Sequence, residues 1–202
     1  MDPLSPLTAI RSWLASKGVK AAPAKIANAV TKPADPLDEE LIRLYTKGYS
    51  SSINDALAFN ETQRAEQLAD KLGIPFEEIV SRLSAMANQS STANAPAFHG
   101  IMTPRYLDLL KRSDKTPYFI STSPDLKVAD RYAGNGLAVF KRPGQAINPG
   151  KLHTFSDEPE LILPAGRPLK QVDETEIRDK DFRLPVMLFE KEGGLVALKG
   201  KK

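Results

Sequence analysis

The chain has 202 residues, 41% of them apolar and 26% charged, with a net charge of +3. That suffices for one domain with a proper core and gives no nucleic-acid-binding footprint. Cysteine is absent, which excludes a disulfide scaffold and thiol chemistry, and His99 and His153 are the only histidines, which argues against a histidine-rich metal site. No apolar run approaches the roughly 18 residues of a membrane span, and the first residues lack the charged start and apolar centre of a signal peptide.

Residues 1–36 differ from the rest. They are rich in Pro, Ala, Ser and Lys and carry no acidic residue between Pro3 and Ala34. "LTAIRSWLASKG" has Leu7, Ile10, Trp13 and Leu14 at helical spacing, and "KAAPAKIANAVTKPADP" reads as a linker. The expectation is a flexible leader over 1–36, either an export or regulatory segment or one that folds back on the body, and a folded domain over 37–202.

Helices come next. Asp35 caps, Pro36 fits the first helical position, and Leu37, Leu41, Leu44 and Tyr45 repeat at helical spacing up to a stop at Gly48. "SINDALAF" predicts a short helix. "NETQRAEQLADKLG" predicts another, with Asn60 as its cap and Gly73 as its end, and "IPFEEIVSRLSAMA" a third from Pro75. "NQSSTANAP" is a polar loop. After Ala97 the pattern changes to short strands, "AFHGI", "YFISTS", "GLAVFK", "QAIN", "PELILP", "PLKQV" and "PVMLFE", interrupted by helices in "PRYLDLLKR" and "SPDLKVADRYA". Helices first and strands later predict an α+β domain, N-terminal helices packed on a mainly antiparallel core.

Among residues able to carry chemistry, Glu158 and Glu160 come first. On a strand, positions i and i+2 share a face about 6.6 Å apart, so one substrate could touch both carboxylates. Paired carboxylates serve reactions through an oxocarbenium-like transition state. The bland alternative is a solvated strand start. "FISTS" places Ser121 and Ser123 on one face, where a hydroxyl can hold a carboxylate in one rotamer, while Ser123 can equally cap the helix from Pro124. His99, followed by Gly100, could donate to a ligand while the glycine backbone approaches closely. His153 reads as a surface loop residue. "RYAGNG" is a glycine-rich turn without phosphate-loop spacing.

The order of these segments is more specific than any one of them. "FHG", "FISTSPDLKVADRYA", "FSDEPELILPAGRPLKQV" and "LPVMLFE" in sequence, preceded by "LIRLYTKGYSSSINDAL", resemble the catalytic core of mono-ADP-ribosyltransferases from Leu37 to Glu190, about three quarters of the chain. The likeness is to the arginine-modifying group with an Arg, Ser-Thr-Ser and Glu-x-Glu signature, and within it to effectors that plant-pathogenic bacteria inject through a type III system. The resemblance implies the ADP-ribosyltransferase fold with a split β core, NAD as co-substrate, no metal, and transfer of ADP-ribose to an arginine of a host protein.

By the same resemblance, Glu160 is the catalytic carboxylate on the nicotinamide ribose, Glu158 engages the acceptor guanidinium, and Ser121 orients Glu160. Gly100 offers its backbone to the nicotinamide amide. His99, Thr122, Ser123 and Arg131 join the NAD site, and Phe155 is the recognition-loop aromatic. Two positions depart from the pattern. His99 stands where the arginine-modifying group carries Arg, leaving Arg105 or Arg131 to supply a permanent positive charge, and Ala58 stands where relatives often carry a basic residue. Two alternatives stand beside the transferase: an NAD glycohydrolase with water as acceptor, and a non-catalytic module that binds a host protein, which His99 favours and the intact glutamate pair disfavours. A monomer is the default expectation.

Overall fold

The two halves of the chain, one spaced for helices and one for strands, meet across a buried pair of short strands. The computed structural model describes residues 6–21, 29–93, 95–153, 158–179 and 182–191. Its helices are α1 (Pro6–Ser16), α2 (Pro36–Leu44), α3 (Ser50–Phe59), α4 (Gln63–Leu72), α5 (Phe76–Gln89), α6 (Pro104–Arg112) and α7 (Leu126–Asp130). Its strands are β1 (Thr92–Ala93), β2 (Ala97–Ile101), β3 (Ile120–Thr122), β4 (Gly136–Phe140), β5 (Gly144–Gln145), β6 (Leu161–Leu163), β7 (Leu169–Asp179) and β8 (Phe182–Lys191).

The start of α2 is as the sequence predicts. The Asp35 carboxylate accepts from the Asp38 N–H and Pro36 occupies the first turn. Arg82 of α5 reaches Asp35, Asp38 and Glu78 at 2.9 Å each, clamping α2 to α5. Gly48 does not end the helical run. It takes φ +122° inside a π-helical turn, Tyr45–Tyr49, that kinks α2 directly into α3. Asn60 does not open α4 either: it adopts a left-handed φ of 57° and closes α3 through its N–H to Ala56, so α4 begins at Gln63.

Strands β2, β4, β8 and β7 form one sheet in that order, with β4 and β8 parallel and the other pairs antiparallel. The β3–β6 pair is a second, antiparallel sheet. The two meet where Phe98 and Ser123 exchange N–H···O bonds of 2.8 Å. The polar loop after α5 contributes β1, paired with β5. The α+β class with a split, mainly antiparallel core is what the sequence predicts. Strand β7 is longer than "PLKQV" suggested: "DETEIRD" continues it along β8, as an edge strand can while Glu174, Glu176 and Arg178 face water.

Three apolar clusters hold these parts together. Leu41, Ile42, Tyr45, Ile53, Leu68, Ile79 and Leu83 of the helices close on Phe119, Ile147 and Ile162, so the helical half covers the β3–β6 pair. The four-stranded sheet is covered on one face by Leu126 and Ala129 of α7 and by Ile10 and Leu14 of α1, and on the other by Leu110 of α6.

Residues 6–21, expected in a flexible leader, are therefore folded back on the body. The amphipathic stripe of α1 outweighs its composition bias: Ile10 and Leu14 are fully buried, Val19 nearly so, and Lys17 pairs with Asp173 of β7. Residues 29–33 are also fixed, through Thr31 N–H to Asn148 O and Asn148 N–H to Thr31 Oγ1, both 2.9 Å. The centre of the linker, residues 22–28, lies outside the described residues.

Leu14→Ala should lower unfolding free energy by about 2–4 kcal/mol, as expected for a fully buried leucine. Urea denaturation of the full chain checks this, and an unchanged midpoint would mean that α1 does not dock.

Candidate active site

The kink between α2 and α3 opens a cleft of about 480 Å³ whose other walls are β2, β3 and the segment entering β6. Tyr45, Lys47, His99, Ser121, Glu158 and Glu160 all face it. Antiparallel pairing of β3 with β6, with Thr122 opposite Leu161, delivers the residues just before Leu161 to the same end of the cleft as the Ser-Thr-Ser run. Contrary to the expectation from their spacing, Glu158 and Glu160 are not on a strand, because β6 starts at Leu161 and Pro159 between them has no N–H for a ladder. Both still line the cleft.

His99 sits mid-β2 and is part-buried. Its Nδ1 lies 2.7 Å from the Ser121 carbonyl oxygen, which can only accept, so Nδ1 carries the proton and Nε2 is the acceptor. Burial pushes the imidazole down to about 4, against the hydrogen bond to Ser121. At neutral pH His99 is uncharged and supplies no cation. Gly100 beside it has a packing duty: a Cβ there would lie 2.2 Å from the Ala129 carbonyl oxygen, so only glycine lets α7 cross β2 at this height.

The three hydroxyls of the Ser-Thr-Ser run have separate tasks. Thr122 Oγ1 donates to Leu161 O at 2.9 Å and staples β3 to β6. Ser123 Oγ accepts from Asp125 N–H at 3.1 Å, within a turn; the helix cap itself is Asp125, whose carboxylate accepts from Lys127 N–H at 2.9 Å. The Ser121 hydroxyl faces that of Tyr45, which donates to Phe119 O at 3.0 Å. Burial, and next to it the negative charge of Glu160, hold the Tyr45 phenol well above its usual range. Asn54 of α3 satisfies both backbone groups of Phe119, at 2.8 and 3.1 Å, which fixes β3 against the helical half.

Each glutamate has a partner from this chain. Glu158 Oε1 takes Arg131 Nη1 at 2.8 Å, and Oε2 accepts from Tyr132 Oη at 3.3 Å. Glu160 Oε2 lies 2.7 Å from Nε2 of His153, so His153, rather than the Ser121 hydroxyl, is at hydrogen-bond distance from it. His153 is not the surface residue that its loop position suggested: the 3-10 turn Gly150–Leu152 swings it inward, and its side chain is 9% exposed. Arg105 is committed elsewhere, to Asp55 and Glu61 at 2.7 Å each and to the face of Phe59. In "RYAGNG", Asn135 binds the Ile101 and Met102 carbonyls and closes β2. Phe155 lies outside the described residues.

Sequence reasoning missed Tyr45, Lys47, Tyr132 and His153. Tyr132 and Tyr45 stand inside motif segments and could have been singled out there. Nothing in the sequence marked His153.

No protein-family model matches the chain, and no curated protein matches it. Solved structures do. Exoenzyme S from Pseudomonas aeruginosa, in a complex with human 14-3-3 protein beta and Carba-NAD, superposes with a TM-score of 0.60 at 16% identity, over 83% of this chain and 79% of that one. The Vis toxin, an ADP-ribosyltransferase from Vibrio splendidus, gives 0.55 at 15% identity over 82% and 77%. The Salmonella SpvB domain gives 0.53 at 17% identity over 78% and 99%. The chain has the fold of these ADP-ribosyltransferases.

The depressed His99 makes a pH prediction. A histidine whose folded value lies below its unfolded one costs nothing above pH 6.5 and progressively destabilises as pH falls toward 4, where the unfolded chain alone takes the proton. The full effect is at most roughly 3 kcal/mol. Unfolding of wild type and His99→Gln between pH 7 and 4.5 should show a steeper loss for wild type; parallel curves would refute a His99 that stays neutral in the fold.

Proposed function

We propose that the chain is a mono-ADP-ribosyltransferase that cleaves NAD at the nicotinamide–ribose bond and transfers ADP-ribose to an arginine of a target protein. The observation that carries this is the pair Glu158 and Glu160 on one cleft wall, with Glu158 already holding a guanidinium, that of Arg131. A carboxylate that binds an arginine of its own chain has the geometry to bind one from elsewhere. The fold supports the same chemistry, and solved relatives of that fold include one bound to Carba-NAD and one, Vis, bound to agmatine.

In this reading NAD lies along the cleft with nicotinamide against His99 and Gly100. Neutral His99 presents Nε2 as an acceptor, suited to an amide N–H. Glu160 accepts from a ribose hydroxyl and steadies positive charge as the glycosidic C–N bond breaks and its electron pair leaves with nicotinamide. Glu158 orients the acceptor guanidinium and takes its proton as nitrogen bonds to the anomeric carbon. Ser121, Thr122 and Ser123 form the wall that holds this end of the cleft in shape, and Phe155 belongs to the loop that meets the target. No step calls for a metal.

The diphosphate needs a cation that His99 cannot be. Lys47 on the kink, beside the N-terminus of α3, is the cleft-lining lysine placed for it. Arg131, next to the cleft on Glu158, is the second candidate.

The chain would act as a bacterial effector delivered into a host cytosol by a type III route, with residues 1–36 serving secretion or regulation and with the target protein as its other partner. The composition of that segment supports the assignment. A second reading is an NAD glycohydrolase in which water is the acceptor and Arg131 stays on Glu158.

Nicotinamide release, measured with and without agmatine, separates the two. Release accelerated by agmatine, with agmatine modified, is the expected result; release indifferent to agmatine selects the hydrolase, and no release defeats both. Glu160→Gln should abolish release. Glu158→Ala should cut agmatine modification at least about tenfold while sparing hydrolysis more. Equal losses would argue against separate roles for the two glutamates. Lys47→Glu should raise the KM for NAD roughly tenfold or more, the scale of one charge-assisted contact; an unchanged KM would remove Lys47 from the diphosphate site.

A further inference from the structure

Glu160 has the central part in the proposed reaction, and Ser121, the residue that the motif would assign to orient it, has its hydroxyl turned to Tyr45. We propose that His153 is the positioning residue for Glu160, holding Oε2 so that Oε1 is presented to the ribose. This rests on the proposed role of Glu160 in cleaving NAD.

The geometry meets what positioning requires. The Nε2–Oε2 distance is 2.7 Å, and a carboxylate oxygen only accepts, so Nε2–H donates. The two side chains are 9% and 15% exposed and both line the cleft, so the bond is shielded from water at the place where the chemistry would occur. A pair this sheltered holds its geometry far better than an exposed ion pair, whose partners swing free.

The backbone leading into His153 is fixed at several points. Its own N–H closes the 3-10 turn on Gly150 O at 3.3 Å. The Leu152 carbonyl accepts from Thr46 Oγ1, at 3.4 Å, on the opposite wall of the cleft. Upstream, Asn148 N–H is bound by Thr31 Oγ1, which also contacts Ser90 Oγ at 2.7 Å. The first wall of the cleft, the last part of the linker and the end of α5 thus converge on the segment that aims one imidazole at one carboxylate. Gly150 takes φ +54°, and a Cβ there would press on Val30, so the turn is shaped by the same residues.

A carboxylate that must accept from a ribose hydroxyl and face a developing cation cannot rotate without loss. Misplacement of a reacting group by about 1 Å can cost a hundredfold in rate. His153 touches neither NAD nor the acceptor in this scheme and acts through Glu160.

The test uses the full chain with His153→Ala and His153→Gln, the second retaining an N–H donor at similar reach. Measured are kcat and KM for nicotinamide release and the unfolding midpoint. The expected result is a kcat for His153→Ala lowered at least about tenfold, a KM for NAD within about twofold of wild type, and recovery of most of kcat in His153→Gln. Wild-type kcat in His153→Ala overturns the inference. So does a parallel collapse of kcat, KM and midpoint that His153→Gln does not relieve, because that would describe a merely structural side chain. A wild-type chain that releases no nicotinamide overturns the proposed function and this inference together; an active wild type beside a fully active His153→Ala overturns this inference alone.

Discussion

The double hydrogen bond between Phe98 and Ser123 is the joint on which the rest of the site depends. It fastens the β3–β6 pair to the end of the four-stranded sheet, and β3 is too short to hold its place otherwise. Once that joint is made, His99 stands one residue from it on β2 and reaches the Ser121 carbonyl, while Thr122 opposite Leu161 fixes where the chain turns into Glu160. The helical half then closes from outside. Asn54 satisfies both backbone groups of Phe119, a residue with no exposed surface, and a buried backbone group left unpaired would cost more than the bond is worth. The cleft is the gap between these two attachments.

The electrostatics of that gap come from burial. Carboxylates shielded from water need partners, and the chain provides one for each: Arg131 for Glu158 and His153 for Glu160. The partners differ in kind. Arg131 is 56% exposed and arrives from outside the cleft, so its pairing with Glu158 is weak, as exposed ion pairs are. His153 is enclosed and stays. The outer carboxylate is thereby left exchangeable and the inner one held, the division of labour that the proposed transfer asks of them.

Much of this was legible in the sequence, and the failures have physical causes. The Asp35-Pro36 start, the helix from Pro75 and the strand "GLAVF", buried at every position, are products of local chemistry and were readable. Gly48 and Asn60 were misread because a left-handed residue marks a sharp turn of the backbone without fixing whether a helix resumes beyond it. Gly48 bends one helix straight into the next, and Asn60 ends the helix before it. "DETEIRD" was missed because its charges suit an edge strand only when a long partner such as β8 is known to lie beside it. Of the site, motif order brought Ser121, Glu158, Glu160 and His99 to attention, and all four line one cleft. His153 was invisible, since its burial depends on a tertiary turn that no local pattern announces.

His99 is the residue where sequence and structure together say more than either. Read as a substitution for arginine, it looked like a loss of charge. In place, its ring is packed beside Tyr118 and bonded to a backbone carbonyl, in surroundings that push its pKa down to about 4. An arginine stays protonated at every pH of interest and would bring a permanent charge to this position. The neutral imidazole carries no such charge, and in the proposed reading the cation comes instead from Lys47 on the kink that Gly48 makes possible. On that reading the neutral ring on β2 and the lysine on the kink act together, carried by two elements that the Phe98–Ser123 joint and the Asn54–Phe119 pairing each tie to the β3 segment.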